Sequence, residues 1–96
     1  MMANIYSWQV TVTTAGTAVQ GPDTGPGAFQ INADPENTGY IYVGNDGAND
    51  VASTNGYKMA AGNVAIMTAP NMNHLYFDAS VSGEKATILE LESYRS

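Results

Sequence analysis

One histidine, His74, and no cysteine are present in this sequence. Nucleophilic or acid–base chemistry would therefore have to be built around that ring or around carboxylates. A Ser-His-Asp site needs a carboxylate to orient the histidine and a serine beside it. Asp78, four residues on, falls on the same face of an extended strand but about 13 Å away. His74 reads instead as a turn or strand-edge residue. Glu90 and Glu92 share a strand face and are the kind of carboxylate pair that glycoside hydrolysis uses. Their position near the end of the chain reads as a solvated edge. Asn45-Asp46-Gly47-Ala48-Asn49-Asp50 offers oxygen ligands around a glycine, as calcium loops do, but lacks the distant glutamate of the helical calcium loop. It reads as an Asx-rich turn whose side chains bond nearby amides. Gly21, Gly25 and Gly27 precede a strand rather than a helix, and no lysine follows, so they form no phosphate cradle. No catalytic residue, metal site or cofactor is expected.

Charge narrows the field further. Nine acidic residues stand against three basic ones, a formal net charge of −6. Lys58, Lys85 and Arg95 are scattered and cannot supply the basic cluster that a nucleic-acid backbone requires. Anionic membrane surfaces are disfavoured for the same reason. The acidity serves solubility, or attraction to a basic protein surface. Charged residues are 12% of the chain, about half the usual share, and the polar surface is drawn from Thr, Ser, Asn and Gly. Without disulfides, stability must come from packing or from partner subunits. The opening Met1-Met2-Ala3-Asn4 has no basic region or apolar run of a signal peptide. No run approaches the roughly 18 apolar residues of a membrane helix. Residence in a cytoplasm, or delivery in an assembled particle, is expected.

The elements that would carry any site repeat with period two. From Ile5 to Thr13, Trp8, Val10 and Val12 share one face, and Gln9, Thr11 and Thr13 the other. Ala15-Gly16 reads as a turn and Thr17–Gln20 as a short return strand. Residues 21–27, with two prolines and three glycines, form a loop. Ala28–Asn32 resumes the alternation, with Phe29 and Ile31 together. Residues 33–38 turn, and Gly39–Gly44 is a central strand in which Ile41 and Val43 oppose Tyr40 and Tyr42. Residues 45–55 form the longest irregular connection. Further strands are expected at 57–59, 64–68, 74–79 and 86–91, with turns between them. The alternation predicts an all-β domain spanning 1–96. It is a small antiparallel β-sandwich or partly closed barrel of about seven or eight short strands. Residues 1–5 form an extended arm and 92–96 a short tail.

Three stretches carry a resemblance: Asn37-Thr38-Gly39-Tyr40-Ile41-Tyr42-Val43-Gly44, Ser53-Thr54-Asn55-Gly56-Tyr57-Lys58-Met59-Ala60-Ala61-Gly62, and Leu75-Tyr76-Phe77-Asp78-Ala79-Ser80-Val81-Ser82-Gly83-Glu84. Together they resemble small β-sandwich virion proteins of tailed bacteriophages. Chains of that group often open with Thr-Val-Thr-Thr-Ala-Gly-Thr, matched here by Thr11 to Thr17. The sequence departs from the group in loop 21–27 and in Met59, Met67 and Met72. The resemblance implies a virion structural protein, made in the host cytoplasm. Within that class the expected role is capsid decoration, or cementing, by binding the major capsid protein at capsomer junctions. A homo-oligomer is expected because closed symmetric assemblies are the common case, and a trimer at a local three-fold junction would suit the cementing role. A tail, fibre or baseplate module is the alternative within virions. A carbohydrate-binding module with Tyr40 and Tyr42 as a stacking platform is the alternative outside them. Loops on a rigid sandwich commonly carry recognition. The expected partner contacts are accordingly Met1, Met2, Ile5 and Tyr6 in the arm, Pro22 and Pro26 in loop 21–27, Tyr40 and Tyr42, and Asp46 and Asp50 in loop 45–55.

Overall fold

The structure, a computed structural model, describes residues 6–44 and 56–93. Among the described residues eight strands are formed: β1 (Ser7–Val12), β2 (Val19–Gln20), β3 (Gly27–Ala33), β4 (Ile41–Gly44), β5 (Tyr57–Met59), β6 (Val64–Ala69), β7 (Tyr76–Ala79) and β8 (Glu84–Ser93). They build two antiparallel four-stranded sheets, ordered β1-β8-β3-β6 and β2-β7-β4-β5. The fold is thus the sandwich, not the closed barrel. The chain changes sheet at most of its connections, so the strands of each sheet are drawn from both ends of the sequence.

Alternation puts one face of each sheet into the core. In β3 the burial runs strictly in and out, with Phe29, Ile31 and Ala33 fully inside. Val10, Val12, Ala86 and Ile88 extend that face, and Ile41, Val43, Met59, Phe77 and Ala79 oppose it from the second sheet. Each large apolar side chain buried this way contributes roughly 1.5–3 kcal/mol. Trp8 packs on this core with its ring edge-on to Phe29, centroids 6.4 Å apart.

Three elements depart from the alternation pattern. The segment 17–20 is no return strand beside β1. Its last two residues form β2, which pairs with β7 in the other sheet. The turn before it is held there by side chains: Asp78 Oδ1 accepts from the Gly16 amide at 2.9 Å and Ser82 Oγ from the Ala15 amide at 2.9 Å. The expected strand at 74–79 begins only at Tyr76. Residues Met72–His74 form a single 3-10 turn, because the Asn71 carboxamide caps it by accepting from the Asn73 amide. Of the expected tail, Glu92 and Ser93 remain in β8, paired with Ala28 and Gly27, and residues 94–96 lie outside the described residues.

Candidate interaction surface

His74 lies exposed at the end of the 3-10 turn. Asp78 is buried on β7, its carboxylate oxygen occupied by the Gly16 and Ala79 amides. Glu90 and Glu92 do not share a face. Phe29 pairs with Glu90 and Ala28 with Glu92, leaving Leu91 as an extra residue in β8. Glu90 is buried on the inner face in step with Ala86 and Ile88, and the bulge breaks the alternation after it, so Glu92 is exposed. Among the described residues, no group of three His, Asp or Glu side chains is placed to hold a metal ion, and no helix is long and apolar enough to cross a membrane.

Of the expected contact residues, Met1, Met2, Ile5, Asp46 and Asp50 lie outside the described residues. Tyr6 is exposed and its ring stands 6.1 Å from Trp8. Tyr40 is 40% exposed, with Lys58 Nζ 4.3 Å from its ring centroid, a cation–π contact. Tyr42, however, is only 5% exposed. It points to the outer side of the central strand β4, between Asp78 and Lys58 on the flanking strands, and its burial removes it from any contact surface. The expected tyrosine platform therefore loses half of its pair.

Loop 21–27 is a clamped connection. Thr24 is 2% exposed. Its amide donates to Asn71 Oδ1 at 3.0 Å, its hydroxyl donates to the Gly25 carbonyl, and the Met72 amide donates to that hydroxyl at 3.0 Å. Asn71 Nδ2 donates to Asp23 Oδ1 at 2.6 Å. Gly21 passes so close to the Met72 carbonyl that a Cβ there would collide with it. Pro22 is consequently half-buried, and Pro26 is exposed at the rim.

The surface that sequence reasoning missed is the free edge at β6. Among the described residues this strand borders only β3, and its outward side chains include Val64 and Ile66, 50% and 66% exposed. Leu89 and Leu91 of β8 are exposed on the same outer sheet face. Behind β6 the two sheets splay into an apolar cleft of about 410 Å³, lined by Val43, Tyr57, Ala65, Ile66, Met67 and Leu75. The signal for this edge was available: Val64–Ala69 contains no charge and no proline, the devices that usually blunt an exposed edge. Strand order, which the sequence does not carry, was what made it an edge.

Comparison with family models, with curated proteins and with solved structures found no match to this chain.

Proposed function

We propose that this chain is a structural component of a tailed-phage virion, a decoration protein that binds the major capsid protein in many copies and stabilises the shell. The observation that carries the reading is where the resembling segments fall. Three of the four contribute β4, β5 and β7, neighbouring strands of one sheet, and the fourth, Thr11 to Thr17, ends β1 in the other sheet and forms the turn after it. The surface suits adhesion: open sheet edges can be extended by a neighbour's strand, and exposed Ile66, Val64 and Leu89 can be covered at a junction. Many equivalent sites multiply a modest contact. The burial of Tyr42 counts against the sugar-binding alternative.

Quantitative proteomics of virions purified from cells producing the chain tests the reading. A decoration protein occurs at a fixed, high ratio to the major capsid protein and raises the temperature at which emptied shells break when it is added back. A tail module would appear at low copy on the tail, and absence from particles would end the proposal.

A further inference from the structure

The hydrogen-bonding direction of β6 can be read from its register. The Ala33 amide donates to the Asn63 carbonyl at 2.9 Å, and the Gly62 amide donates to the Ala33 carbonyl at 2.9 Å. Gly62, at φ +83°, makes the local bulge that starts the strand. Antiparallel ladders alternate, so Ala65, Met67 and Ala69 direct their backbone groups at β3. Val64, Ile66 and Thr68 direct theirs out of the sheet, where no described strand meets them.

We infer that β6 is a homodimerisation edge, pairing antiparallel with β6 of a second copy about a two-fold axis through Ile66. Three observations select a second copy as the occupant. The first is register. Centring the axis on Ile66 sets Ile66 opposite its counterpart and Val64 opposite Thr68 on both sides. All three outward residues are then used, forming about six backbone bonds, whereas a shift to either neighbouring centre leaves about four. The second is charge. The chain carries −6, so two copies repel over most of their surface. Residues 59–73 contain no Asp, Glu, Lys or Arg, and the adjoining outward positions of β3 are Ala28, Gln30 and Asn32. Among the described residues, like charges therefore do not meet along this strand, and a basic partner has no charge to recognise on it. The third is the cleft. A two-fold perpendicular to the sheet keeps both inner faces on one side, which sets the apolar cleft lined by Ala65 and Met67 of each copy next to the pairing edge. Tyr57, which lines the same cleft, is 61% exposed and adds apolar area beside that edge. The opposite edge, β1, is also uncharged, but its outward side chains are Ser7, Gln9 and Thr11, which bring no apolar area.

The inference stands apart from the virion reading and does not need it. It replaces the expected trimer with a two-fold unit. The test is the mass of the full chain in solution, by sedimentation equilibrium across a dilution series, with circular dichroism to monitor folding. The wild type should give twice the 10.1 kDa chain mass. Ile66→Lys and Ile66→Glu alter an exposed side chain and should each keep the wild-type spectrum while weakening self-association on the order of tenfold or more. Mixing the two variants should restore the dimer, because opposite charges then face each other across the axis. Gln9→Lys on β1 should dimerise as the wild type does. A monomeric or trimeric wild type overturns the inference. So does a dimer that survives both Ile66 variants, a mixture that stays monomeric, or loss of assembly in Gln9→Lys.

Discussion

Asn71 and Thr24 show how much one carboxamide and one hydroxyl can fix in a small fold. Asn71 caps the 3-10 turn, receives the Thr24 amide and donates to Asp23. Thr24 in turn receives the Met72 amide in a buried site. Asn71→Ala leaves the Thr24 amide without its acceptor, and a buried polar group so orphaned costs about 1–3 kcal/mol. A loss of that size in urea unfolding, with an unchanged denaturant slope, is the expected result. Asn71→Asp keeps the acceptor but sets a second carboxylate against Asp23, so it should recover only part of the loss. Asn32 presents the opposite case. Its side-chain oxygen is buried without a hydrogen-bond partner, on the outer sheet face between Val64 and Thr87. Asn32→Val removes that orphan and suits the strand better, and is expected to raise stability by about 0.5–1 kcal/mol. A lower urea midpoint than the wild type would show that the carboxamide does something the orphaned oxygen does not reveal.

At the scale of elements, the alternation in Ser7–Val12, Gly27–Ala33 and Ile41–Gly44 was legible because each strand buries one face or, as in β4, presses both against neighbours. What stayed illegible depended on residues far apart in sequence. β2 leaves β1 because Asp78 and Ser82, more than sixty residues on, hold the turn before it. The 3-10 turn displaces the start of β7 because its packing partner is Thr24. Glu92 turns outward because β8 carries one more residue, Leu91, than β3 can match. Local periodicity contains none of these facts. The candidate site followed the same rule: exposed residues such as Tyr40 were recognisable, whereas the β6 edge and the burial of Tyr42 follow from strand order. Asp78→Ala tests the crossover directly. Without its acceptor, the Gly16 amide loses a part-buried hydrogen bond, and stability should fall by about 1–3 kcal/mol. Amide exchange at Ala15 and Gly16 should accelerate more than exchange in β3. Uniform acceleration through both sheets would mean that Asp78 supports the whole sandwich, not the crossover alone.

For the whole molecule, the two sheets meet across one apolar layer with no disulfide to back it up, and domains of this kind are stable by only about 5–15 kcal/mol. Phe29 joins both halves of that argument. It is fully buried at the centre of β3, the strand that β8 and β6 flank, and its ring carries the Trp8 contact. Phe29→Ala should cost about 3–5 kcal/mol through lost burial and the cavity left behind, enough to leave a measurable unfolded population near physiological temperature. Leu89, one strand over but facing outward, is 36% exposed, so Leu89→Ser should stay within about 0.5 kcal/mol in the isolated domain. The contrast separates packing from adhesion. If the outer face is a docking surface, Leu89→Ser should leave thermal unfolding unchanged while weakening attachment to shells. Phe29→Ala should lower both, and cooling should restore its attachment as it restores the fold. Equal losses of thermal stability in the two variants would place Leu89 in the core and contradict the sandwich geometry itself.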